Sequence, residues 1–294
     1  MSRRAASVLV VGDLVADVRV APGSPLEPGE EVEGDISLQG GGSSANQAVW
    51  LARAGAAVRF VGRVGDDLPG AVLVDELARE GVEVHVPRDP EHPTGMVAAI
   101  VEAGGERSLV TSRGANAHLQ AQDVPPSFWG DAALLSLTGY LFTEPSSSAC
   151  GRKLIDEARA RELPFVLDPA SARLLRRFPG RERFLEWTAG ARWFLPNSSE
   201  GRVLSGASTD EDAARALLEL HEGVVVTRGR SGCMVATRDD PLPRAVPVER
   251  SIAPVDATGA GDAFAAGFLH SWLSGSDPPE AARAGHALAA TSVP

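Results

Sequence analysis

The feature that most constrains the fold is a repeated alternation of short apolar runs with helical stretches. Polar stretches typical of helices occur at 70–80, 146–161 and 210–222. The apolar runs are Ser7–Val11, 58–61, 83–86, 132–137, 164–167, 193–195 and 223–226. Strands that alternate with helices predict an α/β fold with a doubly wound, mainly parallel sheet.

Polar residues follow several of these runs. Ligands of such sheets bind at the carboxyl ends of the strands. The polar residues expected just past strand ends, and so near a common site, are Asp17, Asp168, Asn197, Thr227 and Asp256.

A second, smaller sheet is predicted from segments outside this alternation. Residues 32–38 alternate apolar and polar side chains, which indicates a sheet exposed on one face. Residues 94–102 and 107–111 are apolar runs joined at Gly104 and Gly105, a two-residue hairpin signal.

The stretch 255–262 predicts a loop that leads into a helix. Gly259 and Gly261 let the backbone turn so that successive N–H groups point into one concavity, which favours a phosphate at the helix N-terminus. A carboxylate at Asp262 beside that phosphate can accept the proton of an attacking hydroxyl. The same residues also fit a tight turn with Asp262 as a helix N-cap.

Composition excludes several classes of protein. The 294 residues include 28 basic and 39 acidic side chains, a formal net charge of −11, which argues against nucleic acid or an anionic membrane as partner. Lys153 is the only lysine and lies in a polar helical stretch, so a P-loop, a protein-kinase lysine and Schiff-base chemistry are not expected. No glycine-rich dinucleotide motif follows the first strand.

The cysteines and the hydropathy indicate where the protein works. Cys150 and Cys233 lie far apart in the sequence, which is typical of a reducing compartment rather than of a disulfide framework. No apolar run is long enough to span a bilayer. We therefore expect a cytoplasmic protein.

Short motifs lie in order along nearly the whole chain, at 12–17, 41–46, 61–67, 114–117, 196–200, 227–232 and 256–262. Together they resemble the PfkB/ribokinase family of carbohydrate kinases. The resemblance implies one ribokinase-like domain over residues 1–294, with a lid formed from about 18–38 and 94–111. It also implies ATP and Mg²⁺ as cofactors.

The resemblance implies a role for individual residues. Asp262 would be the general base, and the amides of Gly259, Ala260 and Gly261 would stabilise the transferring phosphoryl group. The implied ATP-binding residues are Asn197, Glu200, Thr227, Arg228, Gly229, Gly232 and His286. The implied sugar-binding residues are Asp17, Gly41, Gly42, Asn46 and Asp262.

Metal sites are implied in the same way. Glu200 would hold Mg²⁺, in part through water, and Asp256 with the backbone near Thr258 would bind a monovalent cation such as K⁺. From the residues alone, Asn197 and Glu200 also fit an ordinary helix N-terminus, and Arg228 also fits an exposed surface position.

The sequence departs from the ribokinase pattern where the sugar is expected. Val15 stands where ribokinases have Asn, and Thr138 stands where they have Glu. Asp168 precedes Pro169 where ribokinases usually have Asn, and His286 replaces an Asn near the nucleotide. We therefore expect ribose to be a poor acceptor. The sequence also stops short of the glycine-containing tail that usually completes the monovalent-cation site.

Together these features predict an ATP-dependent kinase that phosphorylates a hydroxyl of a sugar or sugar-like molecule. A nucleoside kinase of the same family and a catalytically idle sugar-binding homologue are the alternatives. Edge strands in the lid predict a homodimer joined lid to lid.

Overall fold

The computed structural model describes residues 7–101, 107–249 and 259–292. The hairpin turn predicted at Gly104 and Gly105 lies outside these residues, as do the predicted cation ligands Asp256 and Thr258.

The described strands are short and distributed along the chain. They are β1 (Ser7–Val11), β2 (Val15–Pro22), β3 (Gly34–Gly41), β4 (Ala57–Val61), β5 (Val64–Gly65), β6 (Glu83–His85), β7 (Arg88–Asp89), β8 (Gly95–Val101), β9 (Arg107–Ser112), β10 (Ala132–Thr138), β11 (Phe165–Asp168), β12 (Trp193–Phe194), β13 (Gly223–Thr227), β14 (Cys233–Thr237) and β15 (Arg244–Val246).

Helices follow most strands of the large sheet. They are α1 (Ser43–Arg53), α2 (Leu68–Arg79), α3 (Pro126–Trp129), α4 (Pro145–Ala160), α5 (Ala172–Arg177), α6 (Arg181–Thr188), α7 (Ser198–Ser205), α8 (Asp210–Leu218), α9 (Ala260–Leu273) and α10 (Pro278–Thr291).

The large sheet has the spatial order β15-β14-β13-β12-β11-β10-β1-β4-β6. All described pairs are parallel except those that β14 makes with β13 and β15. In β1, Val8 and Val10 pack into one core cluster with α1, α2, α9 and α10, while Leu9 and Val11 pack into the other with α4, α6, α7 and α8. Helices thus cover both faces, and the predicted doubly wound α/β fold is confirmed.

The predicted element boundaries are shifted by a few residues. The helix predicted at 70–80 is α2 and begins earlier, because Asp67 caps it and Pro69 fits its first turn. The helix predicted to run from 210 to 222 ends at Leu218. The strands β14 and β15 were not predicted, because they continue β13 as a hairpin rather than through a helical crossover.

A separate four-stranded sheet has the order β3-β2-β8-β9. The predicted small sheet is therefore confirmed, with two corrections. The strand predicted at 32–38 is β3, which begins at Gly34 and continues to Gly41. Asp17 lies inside β2 rather than in a loop past the end of β1, because the chain turns directly from one sheet into the other.

No helix in the described ranges is long and apolar enough to cross a membrane.

Candidate active site

Asp262 lies in the first turn of α9 and points towards α1. Its Oδ1 accepts a hydrogen bond from the Ser43 hydroxyl at 2.6 Å, and its Oδ2 accepts one from Asn46 Nδ2 at 3.0 Å. The N-cap position of α9 is Gly259, which has no side chain to cap the helix. The described hydrogen bonds of the Asp262 carboxylate therefore fix its orientation relative to α1. An N-cap side chain would instead accept from backbone N–H groups of its own helix.

Burial raises the pKa of Asp262 to about 7. Hydrogen bonds from Ser43, Asn46 and Gln47 lower this pKa, and the negative charge of Asp13 raises it. A carboxyl group with such a pKa can exchange a proton near neutral pH, which suits a general base.

The N-terminus of α9 is open on the side of the glycines. Gly259 has a φ of 78°, a left-handed conformation that favours glycine. Among the described residues, no atom lies within 4 Å of a Cβ added at Gly259 or at Gly261. Both glycines line a cavity, so the start of α9 borders space in which an anion fits.

Asp13 follows β1 after Gly12 and anchors the start of α1. It is 5% exposed. Its carboxylate accepts hydrogen bonds from the Ser43 and Ser44 backbone N–H groups at 2.9 and 3.2 Å, and from the Ser44 hydroxyl at 2.8 Å. The hydroxyl of Thr138 lies 3.2 Å from the same carboxylate. The Thr138 side chain is thus held in the buried network of Asp13.

Two glycines predicted to bind the sugar lie where a larger side chain would collide with an aspartate. A Cβ at Gly41 would lie 2.2 Å from Oδ2 of Asp17. Gly42 has a φ of 100°, and a Cβ there would lie 2.6 Å from the backbone oxygen of Asp13. The pKa of Asp17 is raised to about 6, first by burial and then by the charge of Asp13.

Asn197 and Glu200 form a reciprocal cap at the start of α7. The Asn197 side chain accepts from the Glu200 N–H at 3.0 Å, and the Glu200 carboxylate accepts from the Asn197 N–H at 2.9 Å. Glu200 is 6% exposed, and burial raises its pKa. Thr227 forms an isolated parallel bridge with Asn197, which brings the end of β13 to the same place.

Asp168, at the end of β11, is a further carboxylate of this region. It accepts from Gln47 Nε2 at 3.1 Å and from the Ala170 N–H at 3.0 Å. Burial raises its pKa well above the usual range, and the charges of Glu200 and Asp262 add to this effect. Gln47 of α1 thus hydrogen-bonds to Asp168, and it also lowers the pKa of Asp262.

Two cavities meet at Gly259. The first, of about 550 Å³, includes Asp17, Gly41 and Asn46 in its lining. The second, of about 220 Å³, is lined in part by Asp262, Gly261, Asn197, Glu200 and Thr227. Of the predicted sugar-binding residues, Asp17, Gly41 and Asn46 line the first cavity, Asp262 lines the second, and Gly42 is in neither lining. The second cavity also has Asn197, Glu200 and Thr227 from the predicted nucleotide-binding residues.

The remaining predicted nucleotide residues lie outside both linings. Arg228 donates to the backbone oxygen of Ser231 at 2.9 Å, within its own turn. Gly229 and Gly232 have φ values of 54° and 83°, so they shape that turn. His286 is half-buried on α10, and its ring lies 4.9 Å from that of Phe264, which lines the second cavity.

Sequence reasoning missed Asp13, Ser43 and Gln47. Asp13 was visible as a carboxylate shortly after a buried strand. Ser43 lies within the 41–46 motif but was not singled out, and Gln47 gave no comparable signal, because its partner Asp168 lies far away in the sequence.

The residues match the model of the pfkB family of carbohydrate kinases over 5–294, and the chain belongs to that family. Members named ribokinase and deoxyribokinase are phosphotransferases that act on sugar hydroxyls, so the chain is a phosphotransferase by class.

Two relatives named ribokinase are similar over most of their length. The protein from Bacillus subtilis is 30% identical over 292 residues, which cover 98% of this chain and 92% of that protein. The protein from Haemophilus influenzae is 29% identical over 296 residues, with the same coverages of 98% and 92%.

Solved structures share the fold. Ribokinase from Thermotoga maritima has a TM-score of 0.81 and 26% identity, covering 97% of this chain and 92% of that one. Adenosine kinase from Sinorhizobium meliloti has a TM-score of 0.87 and 23% identity, covering 99% and 94%. The second likeness is one of fold alone.

Proposed function

We propose that the protein is an ATP-dependent kinase that transfers the γ-phosphoryl group of ATP to a hydroxyl of a sugar or sugar-like acceptor. The observation that supports it best is the Asp262 carboxylate, which lies beside the open N-terminus of α9 and borders the second cavity. We also propose that the chain acts as a single domain. The two buried free cysteines, Cys150 and Cys233, agree with a cytoplasmic location.

The described residues fit a nucleotide polyphosphate and a divalent cation. The glycines of α9 leave room for phosphate oxygens, and the Glu200 carboxylate offers the oxygen ligand that Mg²⁺ prefers. Among the described residues that line the second cavity there is no Arg or Lys. Bound Mg²⁺ would supply the positive charge that the phosphoryl oxygens need.

Activation by K⁺, bound at Asp256 and the backbone near Thr258, remains part of the proposal. Comparing rates in K⁺, Na⁺ and Tris tests it.

The acceptor is proposed to lie in the first cavity, under the small sheet as a lid. Asp17 and Asn46 offer carboxylate and amide oxygens to sugar hydroxyls, and Gly41 allows close approach. Asn46 also hydrogen-bonds to Asp262, so a hydroxyl near Asn46 lies within reach of the base. Ionised Asp262 takes the proton of that hydroxyl as the hydroxyl oxygen bonds to the γ-phosphorus of ATP. The bond from that phosphorus to the β,γ-bridging oxygen breaks, and ADP leaves with the electron pair.

A nucleoside kinase is the second candidate. The first cavity continues beyond Asp17 and Asn46 along apolar side chains of α1 and α2, namely Val49, Trp50, Leu73 and Leu77. An aromatic base linked to the sugar could pack against Trp50. A screen of ATP consumption over pentoses, hexoses, keto-sugar acids and nucleosides separates the two candidates.

Replacing Asp262 with Asn tests the assignment of the base. The change keeps the shape of the side chain and removes the basic carboxylate. General base catalysis contributes about 10²–10⁴-fold, so we expect kcat to fall by that factor, equivalent to roughly 3–5 kcal/mol of barrier. ATP affinity should change little, because it depends on the backbone of α9.

Asp277→Asn is the matched control, because Asp277 caps α10 through the Glu280 N–H at 2.8 Å. It should lower the melting temperature slightly and leave kcat unchanged. A stable Asp262→Asn protein with near-normal kcat would refute the catalytic role of Asp262.

A further inference from the structure

The first turn of α1 lacks a cap from its own segment. Its N-cap residue is Gly42, which makes no side-chain hydrogen bond, and no acidic residue lies in the first turn. Asp13, at the end of β1, takes that role from a distant part of the chain. Its carboxylate accepts from the Ser43 and Ser44 N–H groups, and its backbone oxygen accepts from the Ala45 N–H at 3.2 Å. Three of the free N–H groups of α1 are thereby satisfied by one residue.

The same turn of α1 holds Asp262. Ser43 is bonded at both ends, because its N–H donates to Asp13 Oδ2 at 2.9 Å and its hydroxyl donates to Asp262 Oδ1 at 2.6 Å. Asn46, one turn further along α1, donates to Asp262 Oδ2. The position of the Asp262 carboxylate therefore depends on where α1 begins.

The packing between β1 and α1 leaves little room for another arrangement. A Cβ at Gly12 would lie 2.1 Å from the Ser44 hydroxyl oxygen. The Thr138 hydroxyl lies 3.0 Å from that same oxygen and 3.2 Å from Asp13 Oδ1. Contacts from β1, α1 and β10 thus fix the Asp13 carboxylate. Because these residues are closely packed, a different side chain at position 13 would displace the start of α1.

We propose that Asp13 is a positioning residue for phosphoryl transfer: it fixes the first turn of α1 so that Ser43 and Asn46 hold the Asp262 carboxylate. The proposal rests on the proposed function of Asp262 as general base. Asp13 is not assigned a contact with substrate or phosphate: it acts on Asp262 through the first turn of α1 and through its own charge.

The charge of Asp13 has a second effect on the same carboxylate. It raises the pKa of Asp262, whereas the hydrogen bond from Ser43 lowers it. Asp168 and Tyr140 also interact electrostatically with Asp262. Loss of the Asp13 charge should therefore lower the pKa of Asp262, whereas loss of the Ser43 hydroxyl should raise it.

The test is Asp13→Asn, which removes the charge and turns one acceptor atom into a donor that faces an N–H group. Misplacement of about 1 Å can cost on the order of 10²-fold in rate, so we expect kcat to fall by roughly 10- to 100-fold with little change in KM for ATP. The acid limb of the pH profile should move to lower pH. In Ser43→Ala, kcat should also fall, but the acid limb should move to higher pH.

Asp67→Asn is the matched control, because Asp67 anchors α2 in the same way. Its carboxylate accepts from the Gly70 N–H at 2.9 Å and from the Thr94 N–H at 2.8 Å. It should lose a comparable amount of thermal stability and keep both kcat and the acid limb. If Asp13→Asn behaves like Asp67→Asn, Asp13 is only structural and the proposal is wrong.

A readout without turnover separates this proposal from the proposed function. Carboxyl ¹³C NMR of aspartate-labelled protein, with the Asp262 signal assigned from Asp262→Asn, reports the Asp262 titration directly. We expect the titration midpoint to fall in Asp13→Asn and to rise in Ser43→Ala, whether or not an acceptor is known. Unchanged midpoints in both variants would overturn the proposal. If Asp13→Asn does not fold, Asp13→Glu takes its place: it keeps the charge but displaces the carboxylate from the Ser43 and Ser44 N–H groups, so kcat should fall, and a normal kcat would overturn the proposal.

Discussion

Asp262 must be ionised to accept a proton, so its raised pKa sets the pH range of activity. Because burial raises this pKa to about 7, the base is protonated below that pH. We expect kcat/KM to fall about tenfold per pH unit below pH 7 and to level off above it. Initial rates from pH 5.5 to 8.5 measure this, and the residual activity of Asp262→Asn should lack the limb. A midpoint near pH 4, in the ordinary carboxyl range, would contradict the assignment.

Because of Val15 and Thr138, we expect ribose to be a poor acceptor. Val15 is an apolar residue with 4% exposure, and the Thr138 hydroxyl is already hydrogen-bonded to Asp13 and Ser44. Each hydrogen bond left unmade costs about 1–3 kcal/mol, so two lower kcat/KM by roughly two orders of magnitude or more.

Rates with ribose and with the other sugars of the acceptor screen measure that selectivity. Val15→Asn should improve ribose relative to the other sugars, and Val49→Asn, at the apolar end of the first cavity, is the control. Ribose that outperforms every other sugar with the unmodified protein would show the inference to be wrong.

Local motifs made some of these residues predictable, and distant contacts hid others. Asp262, Asn197 and Glu200 belong to contiguous motifs whose backbone geometry follows from glycines and caps, so the sequence indicated them. The cap that Asp13 provides for α1 crosses 30 residues of chain to Ser43. Nothing in either segment alone reveals such a contact, because it depends on how a strand and a helix pack.

At the scale of elements, the period of the apolar pattern predicted the central strands well. The β1 run is buried on both faces and stands out as a continuous apolar stretch. The exposed strand β3 gave a weaker signal, since its first seven residues are exposed, and its predicted bounds were displaced. The hairpin of β13 and β14 was missed because its turn, at 227–232, was interpreted as a nucleotide-binding loop.

His221, between α8 and β13, gives a prediction about stability against acid. It is fully buried, its ring stacks on Phe194 at 4.2 Å, and neither ring nitrogen has a hydrogen-bond partner among the described residues. Burial lowers the pKa of His221 to about 3. Between about pH 6.5 and 3 the unfolded chain binds a proton at His221 that the folded chain does not, so the free energy of unfolding falls as the pH is lowered.

Urea unfolding of His221→Leu at pH 7.5 and 5.5 measures this effect. The unmodified protein should lose about 1.4 kcal/mol more than the variant between these pH values. His85→Gln is the control, because His85 is exposed in β6, and it should follow the unmodified protein. Equal losses for His221→Leu and the unmodified protein would mean that His221 is protonated normally in the folded state.

At the scale of the whole molecule, one face of the small sheet carries an uncovered apolar surface. The cross-strand neighbours Val18 and Leu38, and Val20 and Ile36, lie on that face. Ile36 is 72% exposed, Leu38 54% and Val110 65%. Such a surface is stabilised when it is buried against a second copy, so we propose a homodimer joined through the small sheets.

Light scattering at micromolar concentration measures the mass. We expect a dimer for the unmodified protein and a monomer for the double variant Ile36→Lys, Val110→Lys. Leu242→Lys is the control, because Leu242 is 67% exposed and lies outside the small sheet, and it should remain a dimer. A monomer mass for the unmodified protein would contradict the proposal.

The way the active site is assembled has a consequence for folding kinetics. The hydrogen bond between Ser43 and Asp262 joins residues 219 positions apart, and that between Thr138 and Asp13 joins residues 125 positions apart. Contacts of such high sequence separation form late, because the entropy of closing long loops must be offset first. Helical circular dichroism should therefore recover early during refolding, whereas enzymatic activity should return only in the slowest phase.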